Sequence, residues 1–200
     1  MILGGIITFK RIKNPVLREV LDWGVHITVA VLIGFLIVAF VGQRTIVSGS
    51  SMETTLQDGD QLIIEKITPK VGKLKYGDIV TIDVSDMNGV ERSPIIKRVI
   101  GVEGDKIEVR DGKVYLNGKA LKEDYINGGS TEIVNDKYSD LTVKKGQIYV
   151  LGDNRTPGGS LDSRSLGPFD ISRVGGRAVF RFWPLDNMGT PKKHGAEFQN

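Results

Sequence analysis

The stretch from Trp23 to Gln43 carries no formal charge, and it limits the possible folds of this chain more than any other feature. As a helix, these residues would be roughly 30 Å long, about the thickness of the hydrocarbon core of a bilayer. A buried core helix is a weaker interpretation, because the stretch has no amphipathic pattern. A cleaved leader would have a shorter apolar region followed by an A-x-A site, and no such site follows. We therefore predict a membrane-spanning helix over 23–43.

Charged residues before this stretch predict its orientation. The preceding segment, 1–22, contains Glu19 and Asp22 and four basic residues: Lys10, Arg11, Lys13 and Arg18. The positive-inside rule counts the basic residues and places 1–22 in the cytoplasm. The chain from about residue 44 onward would then lie on the outer side of the plasma membrane.

Short runs rich in β-branched residues follow residue 60, with turn residues between them. Seven runs are predicted to be strands: 61–66, 78–84, 95–102, 106–110, 113–116, 147–153 and 177–183. Asp111-Gly112 and Asn117-Gly118 predict tight turns, and no run after residue 60 has a helical period. We expect a mainly β domain of antiparallel strands over 44–189. Within it, residues of about 104–146 would form an inserted subdomain, and 190–200 would be a flexible polar tail.

The residue inventory excludes several kinds of chemistry. The chain has no cysteine, so disulfides, thiolate nucleophiles and cysteine metal sites are ruled out. His26 lies in the apolar stretch and His194 near the C-terminus, which argues against a Ser-His-Asp triad and against histidine metal sites. The net charge is only +3, without a long basic run, so nucleic acid is not an expected partner. A serine activated by a lysine remains as the route to a strong nucleophile.

Two segments could supply such a pair. Lys97 lies in an apolar run, where burial would lower its pKa and keep the amine neutral, while Arg98 points to the opposite face of the strand. Residues 47–56 place Gly49 and three serines before a predicted strand, as a turn exposing a nucleophile would. Each segment has a simpler alternative, a solvated strand face for Lys97 and a serine-rich linker for 47–56. Composition and spacing alone favour these alternatives.

Four sequence blocks resemble those of bacterial type I signal peptidases of the Gram-positive kind, in that family's order. Residues 47–56 read VSGSSMETTL where the family has V-x-G-x-S-M-x-P-T-L, and 77–80 read GDIV. Residues 97–105 match K-R-V-I-G-x-x-G-D, and 152–164 contain G-D-N-R followed by S-x-D-S-R. One block alone is weak evidence. Four blocks in the family's order, preceded by an apolar stretch, are strong evidence. Together they extend the resemblance from about residue 20 to about residue 184.

The resemblance implies roles for individual residues. Ser51 corresponds to the family's nucleophile, Lys97 to its general base, and Ser160 to a serine that orients the lysine. Framework positions of the site are matched by Asp153, Asn154, Arg155, Asp162 and Arg164. In the family, a pocket binds the small residues at −1 and −3 of the cleavage site, and its lining corresponds to Val47, Met52, Leu56 and Ile96. Ordinary core packing is an equally open interpretation of these four residues. The family fold, a β-rich catalytic core with a small inserted β domain, agrees with the predicted strands.

The chain departs from the family pattern at two places. Thr54 stands where the family has a proline, and the loss of that fixed φ is expected to loosen the turn that aims Ser51. Four residues, 156–159, separate Arg155 from Ser160 where the family usually has two. The longer segment is expected to move Ser160 away from Lys97.

Taken as a whole, the resemblance implies a membrane-bound serine endopeptidase that removes signal peptides from exported preproteins through an acyl-enzyme, without metal or cofactor. Preproteins would bind as extended strands near residues 94–97, and the lipid bilayer would hold the anchor. The alternative is a signal-peptidase-like pilus-assembly factor with weak or no proteolysis, whose partners would include pilin subunits. A self-cleaving repressor of the related Ser/Lys fold is disfavoured by the apolar stretch and by the lack of a DNA-binding helical segment.

Overall fold

The computed structural model describes residues 14–40, 42–87 and 94–199, without the side chains of 35–40. The chain divides into two compact units, residues 1–41 and 42–200. Parts of three predictions lie outside the described residues: 1–13 of the cytoplasmic segment, 41 of the span, and 200 of the tail.

The first unit contains a single described helix, α1 (Pro15–Phe40). Proline suits the first position of a helix, because its ring sets φ and it has no N–H to leave unpaired. Asn14 caps the helix, and its side-chain oxygen accepts hydrogen bonds from the N–H groups of Val16 and Leu17 at 3.0 and 3.3 Å. The helix covers most of the predicted span 23–43. Over 14–40, 42–87 and 94–199, no helix is both long enough and apolar enough to cross a membrane, so the transmembrane assignment is not confirmed.

The second unit is mainly β, as predicted. Its strands are β1 (Gly42–Ile46), β2 (Gln61–Glu65), β3 (Ile79–Ile82), β4 (Ile95–Val102), β5 (Lys106–Arg110), β6 (Lys113–Leu116), β7 (Lys119–Ala120), β8 (Asp140–Thr142), β9 (Gln147–Leu151), β10 (Phe169–Asp170) and β11 (Val174–Trp183). The larger sheet has the order β1-β2-β11-β3-β4-β9-β10. Its neighbouring strands are antiparallel. All seven predicted runs correspond to strands of the structure.

The second sheet has the order β7-β6-β5-β8 and is also antiparallel. Asp111 and Gly112 join β5 to β6 with φ of 53° and 72°, and Asn117 and Gly118 join β6 to β7 with φ of 53° and 80°. Positive φ at both central residues fits the right-handed twist of a hairpin, which confirms the two predicted turns. The strands of this sheet lie inside the range proposed for the inserted subdomain.

A shared apolar cluster joins the two sheets. Ile100 of β4, with Tyr149 and Leu151 of β9, packs against buried residues of the second sheet and its neighbouring loops: Ile107, Val109, Val114, Leu116, Leu121 and Val143. A Cβ on Gly101 would lie 2.6 Å from Ile107 Cδ1, so glycine permits this close approach. The second sheet therefore rests on the strand that carries Lys97.

Two short helices were not predicted, α2 (Ile67–Lys70) and α3 (Ser163–Leu166). Each has four residues, which is too short to give a hydrophobic period. The sequence nevertheless carries a cap for α3, since the Asp162 carboxylate accepts a hydrogen bond from the Arg164 N–H at 3.1 Å.

The segment 190–199, called here the C-terminal strap, was expected to be loose but packs along the β domain. Gln199 donates its N–H to the Ala120 carbonyl at 2.9 Å, and Lys122 donates its N–H to the Glu197 carbonyl at 2.8 Å. Further along, the carbonyl of Lys192 accepts a hydrogen bond from Arg98 Nη1 at 3.2 Å. Side chains add to these contacts, since Gln199 Oε1 accepts from Lys113 Nζ at 2.8 Å and Lys193 Nζ donates to Asp78 Oδ1 at 3.0 Å.

Candidate active site

Ser51 lies in an ordered turn between β1 and β2, called here the Ser51 turn (residues 47–56). Val47 fixes its start, because its N–H donates to the Asp60 carbonyl at 2.8 Å and its carbonyl accepts from the Gly59 N–H at 3.0 Å. Gly49 adopts φ of 93°, and its N–H donates to Asp58 Oδ1 at 2.7 Å. The alternative of a serine-rich linker does not hold.

Lys97 lies on β4 opposite Val80 of β3, in the middle of the larger sheet. Lys97 is only 2% exposed, which excludes the alternative of a solvated strand face. Its Nζ is 2.6 Å from Ser51 Oγ and also donates to the Ile96 carbonyl at 2.8 Å. The fold therefore brings together a serine and a lysine that are 46 residues apart in sequence.

Burial lowers the pKa of the Lys97 amine from 10.5 to about 8, because a cation is poorly solvated there. The carboxylates of Asp162 and Asp153 oppose this shift, and the Arg164 guanidinium favours it. A substantial fraction of Lys97 is therefore neutral slightly above neutral pH. A neutral amine in contact with a hydroxyl can accept its proton.

Four of the five predicted framework residues take part in three buried ion pairs, together with Arg98 and Glu123. The fifth, Asn154, donates from Nδ2 to the Ser50 carbonyl. Two hydrogen bonds join arginine to carboxylate in each pair: Arg98–Asp153 at 2.8 and 2.6 Å, Arg155–Glu123 at 3.1 and 2.6 Å, and Arg164–Asp162 at 2.9 and 2.9 Å. Burial alone would raise the pKa of Asp162, but hydrogen bonds from Arg164 and the Gly152 N–H hold it below its ordinary value. Asp162 therefore stays ionised close to Lys97 without forming an ion pair with it.

The position of Ser160 differs from the expected lysine-orienting role. Its buried Oγ makes no hydrogen bond to Lys97, which makes its second hydrogen bond to the Ile96 carbonyl. The Ser160 hydroxyl instead lies near the Asp162 carboxylate and helps to lower its pKa. The hydroxyl is nevertheless close to the site, because a Cβ on Gly152 would collide with Ser160 Oγ and lie 2.5 Å from the Ser51 carbonyl. Glycine at 152 leaves room for both serines.

The four predicted pocket residues lie in one apolar cluster beside the dyad. All are buried, with exposed fractions from 0% for Leu56 to 7% for Ile96. The cluster consists of Val47, Met52, Leu56, Leu62, Ile64, Ile79, Ile96 and Ala178. Whether the four predicted members contact substrate stays a prediction, since packing under the Ser51 turn explains their burial equally well.

Two contributors to the site were missed by sequence reasoning. Thr54, expected to loosen the turn, anchors it, because its Oγ1 donates to the Tyr125 carbonyl at 2.7 Å. Arg98 is fully buried and donates from Nη2 to Thr55 Oγ1 at 3.1 Å, besides its pair with Asp153. The partners are distant in sequence, so no local pattern could have indicated these contacts.

A serine hydroxyl beside a buried amine of lowered pKa is the arrangement of a serine peptidase that uses lysine as its base. Comparison with known proteins agrees with this class. The family model "Signal peptidase, peptidase S26" matches residues 20–183. The chain therefore belongs to the signal peptidase family, peptidase S26.

Several curated relatives are similar over most of their length. Signal peptidase I of Bacillus licheniformis is 37% identical over 178 residues, which cover 86% of this chain and 92% of the relative. Signal peptidase I T of Bacillus subtilis (strain 168) is 38% identical over 181 residues, covering 86% and 90%. Signal peptidase IB of Staphylococcus aureus (strain COL) is 34% identical over 185 residues, covering 86% and 93%. The activity is that of a signal peptidase I, which removes signal peptides from preproteins.

Proposed function

We propose that Ser51 is the nucleophile and Lys97 the general base of this peptidase. The observation that carries the proposal is the distance of 2.6 Å between Oγ and a buried Nζ. Neutral Lys97 accepts the proton of Ser51 as Oγ attacks the scissile carbonyl, and the Ser51 N–H donates to the resulting oxyanion. The mature protein leaves from the acyl-enzyme, and Lys97 then activates the water that releases the signal peptide.

The substrate binds as an extended strand beside β4. On one side, Ile95 to Lys97 pair with β3, whereas pairing with β9 begins only at Arg98. The other side of this short segment thus has no strand partner among the described residues and leads directly to Lys97. An extended signal peptide can add its main-chain groups there. Val47, Met52, Leu56 and Ile96 lie beside this edge, and a tightly packed apolar wall fits small side chains at −1 and −3.

Helix α1 anchors the enzyme to the plasma membrane, with the N-terminus in the cytoplasm and the β domain outside. The support comes from the uncharged stretch 23–43 and from the basic residues before it. In α1, large apolar side chains are exposed along its described part, as in Val16 at 68%, Trp23 at 65% and Val31 at 64%. Exposed apolar surface of this extent favours contact with lipid.

Cleavage of a preprotein with an Ala-X-Ala site tests the proposal. The purified chain in detergent should cut after the second Ala, and Ser51→Ala and Lys97→Ala should each abolish cutting while keeping the wild-type unfolding midpoint within a few degrees. Cutting by folded Ser51→Ala would contradict the dyad. Absence of cutting by folded wild type with several preproteins up to alkaline pH would instead favour a pilus-assembly role with pilin partners.

A further inference from the structure

The segment 156–159, longer than in the resembled family, has a defined conformation next to the Ser51 turn. Gly159 donates its N–H to the Thr156 carbonyl at 2.8 Å, which closes a tight turn, and Gly158 adopts φ of 71°. A Cβ on Gly159 would lie 2.5 Å from Asn154 Oδ1. The glycine therefore lets the segment fold against the Asn154 side chain, and the extra residues have a structural use.

Asn154 connects this segment to the Ser51 turn. The residue is 6% exposed, and its N–H donates to the Ser51 carbonyl at 3.1 Å. Its Nδ2 donates to the Ser50 carbonyl at 3.2 Å. On the other side, its Oδ1 accepts from the Thr156 N–H at 3.2 Å and from Thr156 Oγ1 at 2.5 Å. The Thr156 N–H can only donate, so it requires the oxygen of the amide on its side and leaves the nitrogen facing Ser50.

The Ser50 carbonyl and the Ser51 N–H belong to one peptide unit. A trans peptide is planar, so its C=O and N–H point in opposite directions and rotate together. A hydrogen bond that fixes the Ser50 carbonyl therefore also fixes the direction of the Ser51 N–H. In the described part of the chain, no acceptor for the Ser51 N–H is found, which leaves it free to donate to a bound substrate.

We propose that Asn154 and Thr156 are positioning residues that aim the Ser51 N–H at the oxyanion of the reaction. Thr156 holds the Asn154 amide in one orientation, and the amide holds the peptide unit between Ser50 and Ser51. The inference rests on the proposed role of Ser51 and adds a use for the longer segment. An oxyanion donor acts only if it is aimed in advance, and losing one costs about 100- to 1000-fold in rate.

Thr156→Val is the sharpest test, because it nearly keeps the shape of the side chain but removes the shorter of the two hydrogen bonds that hold Asn154 Oδ1. Only the 3.2 Å bond from the Thr156 N–H then remains to hold the amide. We expect it to lower the single-turnover rate of acyl-enzyme formation about 5- to 10-fold, with KM within twofold and the pH midpoint of the rate unchanged. Thr156→Ser restores the donor and should recover the wild-type rate. A purely structural role would instead lower the unfolding midpoint and leave the rate of the folded fraction unaltered.

A double-mutant cycle shows whether the two residues act in series. Asn154→Ala should lower the same rate about 100-fold, and adding Thr156→Val to it should have no further effect, because the relay is already broken. Thr142→Val, on the exposed β8 of the second sheet, is the matched control and should keep the wild-type rate. A wild-type rate for Thr156→Val, or additive losses in the double variant, would overturn this inference. The dyad is tested separately, because it stands as long as Ser51→Ala is inactive.

Discussion

At the scale of single residues, the Lys97 amine is kept available as a base by the way its neighbours are paired. Asp162 and Asp153 raise its pKa, but hydrogen bonds from Arg164 and Arg98 already occupy both carboxylates. Neither carboxylate forms an ion pair with Lys97, so burial remains the largest influence on its pKa. An unpaired carboxylate at either position would stabilise the ammonium form and remove the base from the physiological pH range.

The rate of signal peptide cleavage should therefore rise with pH and level off above about 8, the pKa of Lys97. The pKa is lowered, so the active neutral amine predominates above it, and the rate should fall about tenfold per pH unit below it. Single-turnover cleavage between pH 6 and 10 measures this, with circular dichroism at each pH to follow the fold. A rate independent of pH across that range, with chemistry limiting, would argue against a lysine base.

At the scale of elements, the C-terminal strap extends an edge of the second sheet and reaches the larger sheet. Phe198 pairs with Leu121 beyond β7, while the carbonyl of Lys192 accepts a hydrogen bond from Arg98 of β4. Pairing covers main-chain groups that would otherwise form an exposed strand edge. The strap lies outside the residues matched by the family model, 20–183.

A chain that ends after Thr190 should be less stable by about 2–4 kcal/mol, since several main-chain hydrogen bonds of about 1 kcal/mol each are lost. Chemical denaturation measures the change in the free energy of unfolding. Lys193→Ala is the control, because it removes only the partly exposed ion pair with Asp78 and should cost less than about 1 kcal/mol. An unchanged free energy for the shortened chain would show that the strap adds nothing.

Strands and turns could be predicted from the sequence because their signals are local. β5 and β6 show alternation and turn residues within a few positions, and the glycines at 112 and 118 mark their turns. The packing of the strap and the anchoring role of Thr54 were not predicted, because their contacts are with distant residues such as Arg98 and Tyr125. Ser51 and Lys97 were indicated by resemblance, while their separation of 2.6 Å needed the fold. Short-range patterns do not contain that information.

At the scale of the whole molecule, Arg98 joins parts of the chain that are far apart in sequence. Its guanidinium pairs with Asp153 after β9 and donates to Thr55 of the Ser51 turn, to the Gly77 carbonyl and to the strap at Lys192. Both members of the ion pair are 0% exposed. Breaking a fully buried pair leaves a charge with neither water nor a counter-ion, which is more costly than losing a surface pair.

Asp153→Asn should therefore destabilise the protein by about 3–5 kcal/mol, because it keeps the shape of the side chain but leaves Arg98 as an uncompensated cation. The double variant Arg98→Met/Asp153→Leu should recover much of this loss, since neither charge then remains buried. Asp140→Asn removes a carboxylate from an exposed pair with Lys106 and should leave the free energy of unfolding nearly unchanged. Equal costs for Asp153→Asn and Asp140→Asn would refute the central position of Arg98.

The same Asp153→Asn variant, assayed while folded, should also shift the pH midpoint of cleavage downward, because Asp153 raises the pKa of Lys97.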